Sequence, residues 1–462
     1  MPDLDRIQSL IVQSAPQPRC FVLLFRLGPP DGARRFLRQW LPYVPSAAAD
    51  SASFPNPVFL SLTWQGLARL CEGDPDLDPG EGVRRIERWF VDQTPDHPAV
   101  ARDMGFLGES APQRWWNQSF TNADIHLAVH AFFAGEAEAD AGVGELRTSA
   151  RAAGLEELEL PTFAERALNG RRPGGGILHF GYRDGISGPD VDWADDGSGS
   201  VSFREFLLGY HNDDYPVDPF APGPWRELVR DGSFACIAWI YQNVAAFNRY
   251  LDEASRPLQE VIGPALARGW LAAKLMGRWP DGSPISRWPL ARPEQPDLDD
   301  KFGFENDPVG ERCPLNAHIR IVNTRNHPLS FANRTRFPKG PPRFLRRGFS
   351  YGPELAGAKD DGRQRGIVGT FFCARINEQF YTTLRWMQKT EFAPGFERPP
   401  YTEGMQDALF GCREKPGSDP RLPLGPAGAG AILQLRDFIT YRGVTALLTP
   451  SLPALEKLAR SS

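Results

Sequence analysis

Cys20-Phe21-Val22-Leu23-Leu24-Phe25 is an unbroken apolar run of strand length, and the fold is read outward from it. Behind it, residues 31–41 place Phe36, Leu37, Trp40 and Leu41 at helical spacing, with Arg34, Arg35 and Arg38 off that face. Val58-Phe59-Leu60-Ser61-Leu62 reads as a second strand and residues 124–133 as a third. A helix over 142–153 and a strand over 155–160 complete the set. Strand, helix, strand, strand, helix, strand is the ferredoxin-like split βαβ order, an antiparallel sheet with helices packed against it.

A similar order restarts near Phe234. A strand over 234–241 is followed by helices over 244–251 and 258–276. Further strands are predicted over 318–322, 344–349, 367–376 and 432–448, with a helix over 377–387 between the last two. The repeat lies in element order, not in residue identity. It predicts an α+β chain of two ferredoxin-like units with peripheral helices, spanning 1–225 and 226–462.

The 462 residues are 41% hydrophobic and 24% charged, enough for a sizeable core. The 45 glycines and 44 prolines cluster between elements and predict long ordered loops. Net charge is −5 without a basic run, which gives no support to a nucleic-acid partner. No stretch of about 18 apolar residues is present to span a membrane. The acidic opening Met1-Pro2-Asp3-Leu4-Asp5 does not read as a secretory signal, so a cytoplasmic location is expected. The six cysteines stand singly, which removes the C-x-x-C sites for zinc, iron–sulfur clusters and covalent haem.

Of the seven histidines, His126 and His130 share the polar side of a predicted strand and read as surface residues. His318 differs, because it opens the predicted strand Asn316-Ala317-His318-Ile319-Arg320-Ile321-Val322, with Arg320 and Arg325 following. Such arginines suit the carboxylates of a bound cofactor. Gly181-Tyr182-Arg183-Asp184-Gly185-Ile186-Ser187-Gly188-Pro189 is a tight loop with an acid at its centre. In Arg343-Phe344-Leu345-Arg346-Arg347-Gly348, Arg346 and Arg347 must face opposite sides of a strand. One of them points inward and needs an anionic partner. Spacing alone leaves open whether Asp184, Arg346 and His318 form one site or an ion pair and a bystander.

Taken together, G-x-x-D-G with I-S-x-P, then H-I-R, then R-F-L-R-R-G-x-x-Y-G resembles the dye-decolorising peroxidase family. Residues 7–11, 272–282, 365–380 and 441–451 resemble further stretches of it, so the likeness runs along the whole chain. The resemblance implies two ferredoxin-like units of the dimeric α+β barrel type and a haem b cofactor. It implies His318 as the iron ligand, Asp184 as the distal acid/base and Arg346 as the distal charge stabiliser. Arg320 and Arg325 would meet the propionates, and Gly185, Ile186, Ser187, Thr370 and Phe372 would border the haem. A carboxylate on the far side of His318 is expected from Glu403 or Asp407.

The activity so implied is reduction of hydrogen peroxide through a ferryl intermediate, with oxidation of dyes, phenols or similar small aromatic donors. An aspartate base predicts an acidic optimum. The oligomeric state, monomer or homodimer, stays open. A haem carrier of the same fold is the alternative; it would need His318 but not Asp184 and Arg346. A non-haem binding module would leave all three without a common purpose.

Overall fold

Every side chain of the 20–25 run is buried, the mark of a strand covered on both faces. The computed structural model describes the chain apart from residues 75, 78–86, 173, 214, 216, 217, 219, 326–341, 389–403 and 461–462. The long strands are β1 (Arg19–Arg26), β2 (Val58–Leu62), β3 (Leu127–Phe133), β4 (Leu168–Arg171), β5 (Ser233–Gln242), β6 (Leu345–Tyr351), β7 (Gly366–Cys373) and β8 (Ile439–Thr449). Pairing runs β4-β1-β3-β2 in the first half and β8-β5-β7-β6 in the second, always antiparallel. Each half thus has the same strand order, which is the ferredoxin-like order expected from the repeat. A two-residue strand, Glu156–Glu157, adds to the end of β1.

The two sets meet edge to edge and close a barrel. One seam is the pair Leu62–Leu448 between β2 and β8; the other is Arg171–Ser350 between β4 and β6. Seams this thin need help from side chains. Buried Gln8 donates from Nε2 to the carbonyls of Leu60 (2.9 Å) and Pro450 (2.8 Å), and its Oε1 accepts from the Leu60 N–H. Ser61 Oγ and Thr449 Oγ1 add a 2.7 Å bond beside it. Buried bonds of this kind contribute about 0.5–1.5 kcal/mol each, so the first seam rests on Gln8 as much as on the ladder.

Closure gives every strand one face toward the lumen and one toward the helices. His130 of β3 and Thr370 of β7 lie on opposite walls, yet His130 Nε2 and Thr370 Oγ1 are 3.0 Å apart, a hydrogen bond across the lumen. The surface reading of His130 is therefore wrong: it is almost fully buried. Arg347, paired with Thr370 in register, points the same way. Among the described residues no carboxylate pairs with it, contrary to what is expected for an inward arginine. Instead Arg347 donates to the carbonyls of Leu10, Ile11 and Val12, at the end of the helix Ser9–Val12. Those unpaired carbonyls carry the negative end of the helix dipole, which suits a guanidinium. Burial still depresses the Arg347 pKa to about 10.

Elsewhere the elements depart from expectation where tertiary contacts outweigh local propensity. The helix expected over 258–276 is interrupted at Gly263, where φ is +90°, and resumes as Ala267–Met276. The fourth strand is Leu168–Arg171, not 155–160. The helix before it starts earlier than expected, at Glu136–Ala152. The most consequential change is at 318–322, which is a short helix, His318–Val322.

The buried His130 makes a pH prediction. Burial lowers its pKa to about 4 against about 6.5 in the unfolded chain. The unfolded state therefore takes the proton first, and stability from neutral His130 is complete above pH 6.5 and lost as pH falls toward 4. The loss is on the order of 3 kcal/mol. Urea unfolding at pH 7 and pH 4.5 should show wild type losing more stability than His130→Gln over that interval. Equal losses would mean that His130 does not titrate in this range.

Candidate active site

Three prolines and glycines upstream (Pro308, Gly310, Pro314) deliver the chain to His318, whose helix begins with Ala317 N–H bonded to Pro314 O at 3.0 Å. β-branched Ile319, Ile321 and Val322 favour a strand, but Ile321 is buried in the core. Ile319 fits the space left by Gly277, where a Cβ would stand 2.4 Å from its Cγ1. Helix geometry changes what His318 can neighbour. On a strand Arg320 would share its face; at about 100° per residue it points to the other side.

Arg320 is accordingly a correction to the sequence reading. It is buried, donating to Asp307 Oδ2 (2.9 Å), Asp307 O (2.6 Å) and Cys313 O (2.6 Å), with its guanidinium 4.4 Å over the Phe304 ring. Both Nη atoms are spent inside the protein, holding the loop that leads to His318. Asp307 also accepts from the N–H groups of Arg312 and Cys313. Buried Lys274 donates to the carbonyls of Glu311 (2.8 Å) and Arg312 (2.6 Å), and burial lowers its pKa to about 8. Arg325 is half-buried, its guanidinium 4.0 Å over Phe302 and one Nη bonded to Asp300 O. Burial depresses its pKa to about 10.

The far side of His318 is well defined. Its Nδ1 lies 2.8 Å from Asp407 Oδ2, and Asp407 is completely buried. The other oxygen, Oδ1, accepts from the N–H groups of Leu409 and Phe410, both at 2.8 Å. Two backbone donors and the imidazole hold this carboxylate in place, with Nδ1 as the nitrogen that faces it and Nε2 turned away from it. Phe410 stacks on the imidazole at 4.7 Å between ring centres. Of the two carboxylates expected here, Asp407 is the one in contact; Glu403 lies outside the described residues.

Asp184 and Arg346 come together from different halves of the chain. Their closest atoms, Oδ1 and Nη1, are 3.4 Å apart, and both side chains are nearly half exposed. Arg346 also donates to Ser187 O at 3.1 Å, so it grips the loop on two sides of Gly185. Gly185 takes φ +77°, which the turn requires. The loop is pinned by Asp184 N–H to Gly176 O (2.7 Å) and Arg183 N–H to Pro280 O (3.0 Å). Ile186 lies against Gly282, where a Cβ would meet its Cδ1 at 2.6 Å. The turn 277–283 thus touches the His318 helix at one end and the Asp184 loop at the other.

Register corrects the residues expected beside Arg346. Directly opposed residues of an antiparallel pair share a face. Arg346 is opposed to Phe371 and Gly348 to Gly369, whereas Thr370 is opposed to Arg347 and Phe372 to Leu345. Thr370 and Phe372 therefore face the lumen, where Thr370 meets His130. Phe371 and Gly369 take the outer face with Arg346, and a Cβ at Gly369 would press on the Phe371 ring at 2.6 Å. Once the register is known, counting from Arg346 across the pair puts 371 and 369 on its face. Asp307 and Lys274 carried no local pattern that could have marked them.

No family model matches the chain. It is 30% identical over 495 aligned residues to Multifunctional dye peroxidase DyP2 of Amycolatopsis sp. (strain ATCC 39116 / 75iv2), covering 98% of this chain and 96% of that protein. It is 29% identical over 316 residues to Dye-decolorizing peroxidase msp1 of Mycetinis scorodonius, covering 62% of this chain and 57% of the relative. The chain thus spans little more than half the length of that fungal relative. Among solved structures, an ancestral D-type dye decolorizing peroxidase superposes with a TM-score of 0.80 at 23% identity, covering all of both chains. A dye-decolorizing peroxidase in complex with 2,6-dimethoxyphenol gives 0.77 at 22%, again covering both chains in full. With a paired-sheet barrel shared with these structures and 30% identity along almost its entire length to a dye peroxidase, the chain belongs to the dye-decolorizing peroxidase family.

Proposed function

We propose that this chain is a haem b peroxidase that reduces hydrogen peroxide and draws the electrons from dyes, phenols or similar small aromatic donors. The observation that carries the reading is the His318–Asp407 pair. An imidazole whose Nδ1–H is held by a buried carboxylate presents a basic, oriented Nε2, the donor arrangement suited to a metal ligand. The residues present therefore fit a haem, whose iron His318 would bind and one of whose propionates Arg325 would meet. When bound, the haem supplies the iron at which peroxide is reduced and through which single electrons are returned.

Handling the peroxide proton and charge would fall to Asp184 and Arg346. A carboxylate can take the proton from one peroxide oxygen and deliver it to the other, so that water leaves. Arg346 places a fixed positive charge where negative charge gathers as the O–O bond lengthens. Ser187 O and Asp184 hold the guanidinium from two directions, which keeps that charge aimed. Gly185 and Ile186 form the loop wall, and Phe371 with Gly369 supplies the apolar part of the same face. In this reading the first unit, 1–225, brings Asp184, and the second, 226–462, brings His318 and Arg346. The Asp184–Arg346 pair favours a peroxidase over a haem carrier, which has no use for it.

Haem reconstitution followed by peroxide kinetics with 2,6-dimethoxyphenol as donor tests the proposal. His318→Ala should lose or grossly alter the Soret band. Asp184→Asn should take up haem normally while kcat/KM for peroxide falls by roughly 10²–10⁴. Arg346→Leu should lose about 10²–10³. Normal haem uptake with peroxide rates unmoved in both distal variants would favour the carrier. A well-folded wild type that takes up no haem would end the haem reading.

A further inference from the structure

The loop that carries Asp407 is built around a buried arginine. Arg413 donates from Nη2 to the carbonyls of Asp407 (2.9 Å) and Ala408 (3.0 Å), and from Nη1 to Gln406 Oε1 (3.0 Å). Its side chain is 11% exposed, and its countercharge, Asp437, stands 3.8 Å from Nε. The backbone is shaped to admit it. At Gly411 a Cβ would fall 2.1 Å from Arg413 Nη1 and 2.7 Å from Asp407 O, so only glycine lets the guanidinium reach the carbonyls. Asp407 is tied at both ends of its peptide unit, its N–H to Met387 O at 2.9 Å and its carbonyl to Gly411 N–H and Arg413. Ala408 N–H bonds Asn316 O at 2.8 Å, joining this loop to the segment that bears His318.

We propose that Arg413 is a positioning residue for the ligand pair: by clamping the 406–408 carbonyl side of the loop it fixes where the Asp407 carboxylate meets His318 Nδ1. The proposal rests on His318 being the haem ligand. Arg413 bonds Gln406, Asp407 and Ala408 and not the imidazole, so it acts through Asp407. A shorter or longer Nδ1–H···Oδ2 bond changes the basicity of Nε2, and with it how strongly the imidazole donates to iron. Lysine cannot replace the fork, because one ammonium cannot bridge two carbonyls and an amide oxygen in a fixed plane.

The test compares wild type, Asp407→Asn, Arg413→Ala, Arg413→Lys and the double variant Arg413→Ala/Asp407→Asn, all haem-loaded, by iron(III)/iron(II) midpoint potential and by the iron–histidine stretching frequency. Arg413→Ala should raise the potential and lower the stretch in the same direction as Asp407→Asn. The double variant should go no further than Asp407→Asn alone, because both act through one bond. Arg413→Lys, a milder change that keeps the charge, should move both readouts part of the way, and it decides the matter if Arg413→Ala does not fold. Wild-type values in the Arg413 variants, or effects that add in full to those of Asp407→Asn, would overturn the proposal. A wild-type haem spectrum in His318→Ala would instead overturn the ligand assignment beneath it.

Discussion

Barrel closure is the constraint on which the rest of this molecule depends. Two sheets of the same strand order can bury their edges only by joining each to the other, and both joints here are single residue pairs. Once the ring is closed, side-chain direction is no longer free. Each residue of β6 and β7 is committed to the lumen or to the outer face, and a shift of one position exchanges them. Arg346 and Arg347 are adjacent in sequence, yet one reaches the Asp184 loop and the other caps a helix inside the barrel end. The surroundings of Arg346 and the packing of the lumen follow from the same parity.

Polar groups close the barrel where apolar surface cannot. Gln8 takes the place of missing ladder bonds at one seam, and the His130–Thr370 bond ties opposite walls at the centre. Neither could be replaced by an apolar residue without leaving the partner's polar atom unsatisfied, at about 1–3 kcal/mol. The same economy recurs around the site. Arg320, Lys274 and Arg413 are cations with little solvent contact, and each is spent on backbone carbonyls of a loop beside His318 or Asp407. Loops without regular structure have many unpaired carbonyls. Long cationic side chains reaching in from neighbouring segments are the means by which this chain satisfies them.

The strand repeat was legible because covered strands leave near-continuous apolar runs, and 20–25 and 234–240 are plain examples. Asp184, Arg346 and His318 stood out as candidates because a tight Gly-rich loop, a paired arginine and an isolated histidine are conspicuous in sequence and match a family pattern. What was not legible depended on three dimensions. The 318–322 segment has strand composition but helical geometry, since Gly277 opens a space that Ile319 fills. That one misreading carried Arg320 to the wrong side of the histidine. Thr370 and Phe372 failed for a related reason, a parity that only the register with β6 can fix. His130 looked exposed because β3 seemed to alternate, whereas all of its side chains are buried once the barrel closes.

The proposed separation of roles between the halves of the chain follows from this geometry. The first set of strands ends near 171, and the long connection before β5 is free to fold back over the outer face of the second set. That connection carries Asp184, and Arg346 on β6 anchors it at Ser187 O. In the proposed reading the acid thus sits on a loop and its arginine on a strand, each the better choice for its task. A strand holds charge rigidly against a fixed register, while a glycine-rich loop can bring a carboxylate close without steric cost. At the His318–Asp407 pair the arrangement is reversed, with the histidine on a short helix and its carboxylate on a loop. That loop needs a clamp which the strand-borne arginine does not, and the buried guanidinium of Arg413 supplies it.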